Sequence, residues 1–326
     1  MVVNLDTTVG QRFQSDHKLF CDHHVPLTRT ISLSNLFQAE AAFLDRVRSG
    51  ERNVRVLVSR DVNVMRWLQT DANNPMTNVC LEVDFLNTDS LTEATIGDVF
   101  VSKVQRTAHQ KVIHELARQF IEWCSEEQFS LLTCAEVIGP GCILRPDVIV
   151  YRKAASPNSP CLIIDVEIQN RTPSGSYDRF LRYFDCCRSL VAAIGINIFN
   201  VHQCSDSNQD EQTCPEYSAI AVVYRRAHSG QIVVDDAVDF GMVPLDSETL
   251  ADLPAILSEV RMRLLEPRLD SSCFTACCPW SDDELPFIMV NTDQLRESNA
   301  YGAHLEPFSI DLWKLLSAVQ KFPHSL

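Results

Sequence analysis

Residues 143–183, ILRPDVIVYRKAASPNSPCLIIDVEIQNRTPSGSYDRFLRY, constrain the architecture more than any other part of the chain. Two strand-like runs each carry acid in a polar position, and a helix containing Ser176, Tyr177, Asp178 and Arg179 follows at once. Pro146 and Asp147 head the β-branched run Val148, Ile149 and Val150, which sets the Asp at the start of a strand rather than buried within it. After a polar turn at 155–160 the chain resumes as Leu162 to Gln169, and from Ile164 onward it alternates strictly between apolar and polar. A period of two places Ile164, Val166 and Ile168 on one face and Asp165, Glu167 and Gln169 on the other.

Each of these acids taken singly has a plain structural reading. Polar residues on the outer face of a strand are ordinarily solvated, and Asp after Pro commonly caps a turn. Together they allow more. A carboxylate pair such as Asp147 and Glu167, brought close across neighbouring strands, repels itself unless a cation or proton lies between. Hard oxygen ligands suit Mg²⁺ or Mn²⁺, which keep several waters and accept phosphate oxygens in the remaining positions. Such an ion lowers the pKa of a bound water and offsets charge on a phosphate, so the expected chemistry is phosphodiester hydrolysis.

These residues resemble the PD-(D/E)XK nuclease superfamily, and within it the restriction-endonuclease-like proteins of cyanobacterial type. Arg145-Pro146-Asp147 is similar to the first half of the motif, and Glu167-Ile168-Gln169 occupies the second. The resemblance spans residues 107–226 and rests on a short, degenerate motif. It implies an α/β fold with a restriction-endonuclease-like core of helix, three strands, helix and strand around a central mixed sheet. It also implies Asp147 and Glu167 as catalytic metal ligands, Asp165 as a third acid, Gln169 orienting water, Arg179 steadying phosphate, and an additional acid on the first helix, for which Glu115 is the candidate.

The sequence departs from that pattern at Gln169, where the superfamily has Lys; an amide can orient water but brings no charge. Three readings stay open. The frame shifted by two, Asp165-Val166-Glu167, resembles members in which Glu replaces Lys. The positive charge can instead sit on the next helix, where Asp178, Arg179 and Tyr183 resemble the Asp, Lys and Tyr of the cyanobacterial proteins, although Arg is a phosphate clamp rather than a proton shuttle. The third reading is lost catalysis, with a nuclease-like fold that recognises a protein partner.

Of 326 residues, 45% are hydrophobic and 22% charged, a globular composition with a formal net charge of −15. Such a field opposes general nucleic-acid coating. The excess acid is uneven: residues 1–100 carry −4, residues 101–230 carry −1 and residues 231–326 carry −10. The motif segment is thus nearly neutral, and Arg145, Arg171, Arg179, Arg182 and Arg188 offer a local basic rim. Thirteen cysteines lack framework spacing. With no leader and no membrane-length apolar run, the expectation is an intracellular chain of cytoplasm or nucleus, with reduced thiols and no membrane partner. The adjacent Cys186 and Cys187 read as core packing rather than redox chemistry. Cys21, His23 and His24, and Cys273, Cys277 and Cys278 with the distant His304, do not make a zinc pattern.

Along the chain three parts are expected: an N-terminal α/β addition at 1–105, the core at 106–235, and an acidic, mainly helical addition at 236–326. The N-terminal part shows a helix at 34–48, strands at 54–59, 78–86 and 96–104, and a short helix at 62–69. The helix at 107–127 presents Val112, Ile113, Leu116, Ala117, Phe120, Ile121 and Trp123 as its apolar stripe. A strand at 131–138, a helix at 177–190 and strands at 191–199, 217–226 and 231–234 complete the core. Helices at 247–265, with Ser247 as N-cap, and 309–319 follow. Residues 203–215 read as an exposed acidic loop.

Overall fold

A computed structural model describes residues 31, 33–71, 79–86, 91–92, 94–104, 107–123, 129–133, 135–153, 159–168, 172–200, 217–227, 229–243, 245–253, 263–264, 287–290 and 307–320. The chain is an α/β protein with a central mixed sheet. In chain order the elements are α1 (Leu33–Arg48), β1 (Val56–Asn63), α2 (Val64–Asp71), β2 (Val79–Phe85), β3 (Ile96–Val104) and α3 (Thr107–Trp123). Next come β4 (Phe129–Thr133), β5 (Val137–Gly139), β6 (Cys142–Leu144), β7 (Val148–Arg152), β8 (Pro160–Ile168) and α4 (Pro173–Cys186). Then follow β9 (Ala192–Asn200), β10 (Tyr217–Arg226), β11 (Ile232–Asp239), α5 (Ser247–Asp252), β12 (Arg263–Leu264), β13 (Phe287–Val290), β14 (Phe308–Asp311) and α6 (Leu312–Gln320).

Among the described residues the strands form a seven-stranded sheet ordered β12-β11-β10-β9-β8-β7-β4, a five-stranded sheet ordered β1-β3-β2-β6-β5, and the hairpin-like pair β13-β14. In the larger sheet β8 and β9 run parallel, joined by α4, while β7 pairs antiparallel with β8. The alternation read from the sequence sets the two faces of β8. Leu162, Ile164 and Val166 pack with Val112, Leu116 and Phe120 of α3 and with α6; Ile163 packs with Phe180, Tyr183 and Phe184 of α4 on the opposite face. Asp165 and Glu167 continue the α4 face. The third core, under α1 and α2, belongs to the five-stranded sheet and includes Val99, Val101 and Ile143. The boundary expected at 105/106 falls between β3 and α3, yet the five-stranded sheet crosses it, because β6 pairs with β2.

Several boundaries differ from expectation for local reasons. The single strand expected at 131–138 is two, since β4 pairs with β7 in the larger sheet and β5 with β6 in the smaller. Both halves are apolar, so the change of sheet leaves no trace in periodicity. Helix α4 starts at Pro173, four residues earlier than expected: Thr172 caps it by accepting from Gly175 N at 3.2 Å, and Pro suits the first helical position. Helix α5 is bounded at Asp252, and Leu253 after it still has helical geometry, with φ −62°, ψ −41° and its N–H donating to the Thr249 carbonyl; Leu264, expected in that helix, lies in β12. Its cap is Asp246, which accepts from Thr249 N at 2.7 Å, rather than Ser247. Residues 309–311 are strand, and α6 begins only after Asp311, whose carboxylate accepts from Lys314 N at 3.1 Å. β11 extends to Asp239, so Asp235 and Asp236 are strand residues.

No helix among the described residues is long and apolar enough to cross a membrane. Cys21, His23, His24, Cys273, Cys277, Cys278, His304 and the loop at 203–215 lie outside the described residues.

On α3 the stripe narrows: Leu116 is wholly buried, whereas Ile121 is 61% exposed. Leu116→Ala is expected to destabilise the protein by about 2–5 kcal/mol in urea unfolding through transfer and cavity costs. Ile121→Ala should stay within about 0.5 kcal/mol.

Candidate active site

The polar face of β8 is not solvated. Asp165 and Glu167, with Asp147 at the entry to β7, are each at most 3% exposed, because β3, β2 and α4 close over them. The expectation of a solvated strand face, and of an Asp147 spared burial, fails for this reason: the five-stranded sheet docks where one sheet alone would leave water. Lys103, near the end of β3, reaches into the gap. Its Nζ lies 2.8 Å from Asp147 Oδ2, 2.6 Å from Asp165 Oδ1 and 3.5 Å from Glu167 Oε1, so one ammonium serves three carboxylates.

A second cation lies beside the first. Arg179 of α4 places Nε 2.7 Å from Asp165 Oδ2 and 2.8 Å from Tyr183 Oη, donates from Nη2 to the Arg145 carbonyl at 3.1 Å, and pairs through Nη1 with Glu82 of β2. Tyr183 Oη donates in turn to Asp165 Oδ2 at 3.2 Å. Glu82, itself buried, also faces Arg55 at 3.5 Å and Arg182 at 3.7 Å. Those two arginines continue to Asp84 at 2.9 and 2.6 Å, where the network reaches partly exposed ground.

On the other side His109, near the start of α3, sets Nε2 3.2 Å from Asp147 Oδ2 and 3.1 Å from the Val166 carbonyl. Both neighbours accept, so Nε2 carries the proton. Asp147 Oδ2 also accepts from Val166 N at 2.7 Å, whereas the buried Asp147 Oδ1 and His109 Nδ1 make no hydrogen bond among the described residues.

The electrostatics follow from burial opposed by proximity. Burial disfavours the Lys103 ammonium, but Asp147, Asp165 and Glu167 outweigh it and hold the lysine pKa above its ordinary value. Burial likewise opposes ionisation of Asp147, and there His109 and Lys103 prevail, holding its carboxyl below the usual range. Asp165 goes the other way. Burial, aided by repulsion from Asp147 and Glu167, exceeds the pull of Arg179 and Lys103 and pushes its carboxyl up to about 6.

Asp147, Asp165, Glu167 and Arg179 thus meet in one cluster. Glu115 does not join it: it binds Arg118 at 2.5 Å and Gln119 at 3.1 Å on the surface of α3. Gln169 and Arg171 lie outside the described residues. Asp178 is exposed on the far side of α4. Of the residues expected to form a basic rim, Arg145 pairs with Glu136 at 2.5 Å, Arg182 pairs with Asp84 and Arg179 is buried, while Arg188 is exposed. Sequence reading passed over Lys103, His109 and Glu82. Each left a faint mark, being a charged or titratable residue within an otherwise apolar stripe, but only the docking of β2, β3 and α3 shows what they meet.

The arrangement does not fit a divalent ion as folded. The point on which the three carboxylates converge is filled by the ammonium of Lys103, and a hydrated Mg²⁺ also needs room for several waters. Among the described residues no group of three His, Cys, Asp or Glu side chains is disposed to hold a metal.

Among solved structures the chain is similar to a protein of Anabaena variabilis ATCC 29413 described as "a putative nuclease belonging to DUF820". The two are 13% identical with a TM-score of 0.33, over 56% of this chain and 91% of the other. The sequence matches no protein-family model and no curated protein.

Lys103→Met is expected to cost about 3–5 kcal/mol in urea unfolding, as breaking a buried ion cluster strands its acids. Adding Asp165→Asn to that variant should recover part of the loss, since one stranded charge is removed. Asp147, with its folded pKa depressed, contributes stability that is present above about pH 4 and lost as the pH falls through the folded value. Unfolding free energies measured from pH 7 to pH 3 should therefore fall more steeply in the native protein than in Asp147→Asn.

Proposed function

We propose that this chain is a nuclease-like fold that does not hydrolyse phosphodiesters as folded and acts instead by binding, with a protein partner. One observation carries the reading: the ammonium of Lys103 lies within 3.5 Å of Asp147, Asp165 and Glu167, at the point a catalytic cation would need. The order α3, β4, β7, β8, α4, β9, interrupted by β5 and β6 of the smaller sheet, supports the restriction-endonuclease-like ancestry that the motif suggests. The closed site supports the loss. Hydrolysis needs a scissile phosphate in contact with the carboxylates, and these are at most 3% exposed. The net charge of −15 also repels a polyanion, and the share of −10 in residues 231–326 suits a basic protein surface better.

In this reading the former catalytic groups take a structural role. Asp147, Asp165 and Glu167 anchor Lys103 and so join the two sheets; Arg179, expected to clamp phosphate, joins Asp165 to Glu82. The competing reading, Mg²⁺- or Mn²⁺-dependent hydrolysis of nucleic acid with Asp147 and Glu167 as ligands, requires Lys103 to leave its three partners.

Incubation with single- and double-stranded DNA and RNA in Mg²⁺ or Mn²⁺ is expected to give no cleavage above buffer. Metal-dependent cleavage that disappears in Glu167→Ala overturns the proposal. A second measurement needs no activity. Lys103→Ala leaves three carboxylates around a vacated space, so millimolar Mn²⁺ should raise its thermal midpoint by several degrees while leaving the native protein unchanged. An equal rise in both proteins would show that Lys103 does not hold the cation position.

A further inference from the structure

Away from the charged cluster, a second pair of reactive groups meets across the joint between the sheets. Cys142 opens β6 in the five-stranded sheet, and Cys186 ends α4, the helix that packs on the seven-stranded sheet. Their sulfurs are 3.4 Å apart although the residues are 44 positions apart in the chain. Cys142 is buried and Cys186 is half-buried.

The seat of Cys186 is specific. A Cβ added at Gly139 would lie 2.0 Å from Cys186 Sγ, so the thiol occupies space that only a glycine leaves free in β5. The surroundings also favour one thiolate over the other. The Cys186 hydrogen bond first, and then Arg182, outweigh burial and bring the Cys142 thiol down to about 7, whereas Cys186 is pushed up by its hydrogen bond to Cys142 and by burial. Neighbouring Cys187 is pushed up to about 11 by burial. A low-pKa thiol beside a protonated partner is the arrangement in which one sulfur attacks and the other resolves.

We propose that Cys142 and Cys186 form a reversible thiol-oxidation site, taking hydrogen peroxide as oxidant and closing to a disulfide that ties β6 to α4. The Cys142 thiolate attacks one peroxide oxygen, the O–O bond breaks and hydroxide leaves, giving a sulfenic acid on Cys142. Cys186 Sγ then attacks Cys142 Sγ, and the S–S bond forms as the S–O bond breaks and a second hydroxide leaves. The two thiol protons go with the two hydroxides, so one peroxide becomes two waters and two thiols become one disulfide. A small oxidant suits a sulfur as enclosed as Cys142, and closing the pair to about 2.05 Å needs a shift of little more than an ångström. Cys187 packs in the α4 core and Cys186 packs against it, as expected from the sequence; the proposal adds a redox role for Cys186 to that packing.

The bond would act on the charged cluster through Arg182, which faces Cys142 and also pairs with Asp84 and Glu82. Cross-linking β6 to α4 holds these partners together in the unfolded chain as well as the folded one, so the oxidised protein should resist denaturant better.

The test treats the full-length protein with stoichiometric peroxide, blocks remaining thiols, and maps disulfide-linked proteolytic peptides by mass spectrometry. A Cys142–Cys186 linkage is expected, formed at least tenfold faster than any other, removed by dithiothreitol, and absent from Cys142→Ser and from Cys186→Ser. The urea midpoint should rise on oxidation and return on reduction in the native protein, and stay constant in both variants. Arg182→Gln should slow formation several-fold at pH 7, and less at pH 9, where the thiolate forms without help. A linkage that joins other cysteines, or sulfinic acid on Cys142 with Cys186 still free, would overturn the assignment. Because each serine variant changes a single sulfur atom, its circular dichroism and reduced-state midpoint will separate loss of the bond from loss of the fold.

Discussion

The structure depends on one ammonium ion placed among three carboxylates. Lys103 Nζ approaches Asp147, Asp165 and Glu167 within 3.5 Å in a space that water scarcely reaches. Carboxylates this close would repel one another strongly in a medium of low dielectric, and burying each alone would be costly. The two sheets can meet over β8 only because β3 brings a cation along with its apolar residues. The same constraint explains Arg179, which offsets Asp165 on one side and Glu82 on the other. Of the six ionised side chains in this buried core, four are acids and two are bases, and the remaining imbalance is met by Arg55 and Arg182 at the edge of the network.

A core of this kind changes what the acidic strand motif means. In an open cleft, Asp147 and Glu167 would present oxygens to a hydrated metal and a phosphate. Enclosed with a tethered amine, the same oxygens have their counter-ion already in the ammonium of Lys103. A lysine on β3 links the two sheets in a way that a free ion bound to one sheet does not. His109 adds a third element, joining α3 to Asp147 and to the backbone of β8. The thiol pair at Cys142 and Cys186 lies at the far end of this joint, where Arg182 belongs to both networks.

Much of the architecture was legible from local pattern. The alternation of residues 164–168 set the faces of β8 correctly, with Val166 in one core and Asp165 and Glu167 opposite, because side chains on a strand must point alternately to its two sides. The stripe on α3 matches the apolar periodicity except at Ile121, which is largely exposed. Strands β2, β3, β9 and β10 fell close to their expected bounds, since β-branched and apolar runs between turn residues leave few alternatives. Helix α4 was displaced because Thr172 and Pro173 together start a helix, while the reading began it from the later apolar residues.

Local pattern set which residues share a face and where most elements lie, and the motif resemblance implied that Asp147, Asp165, Glu167 and Arg179 would lie together, although Glu115, included in the same set, stays apart. What that cluster is depends on packing between elements distant in the chain. Lys103 is 62 positions from Asp165, and Glu82 and Arg179 are farther apart still. Periodicity reports burial along a single element and is silent about which distant charge will be pressed against it. The docking of the five-stranded sheet turned a polar strand face, expected in water, into a dry site already filled by a cation.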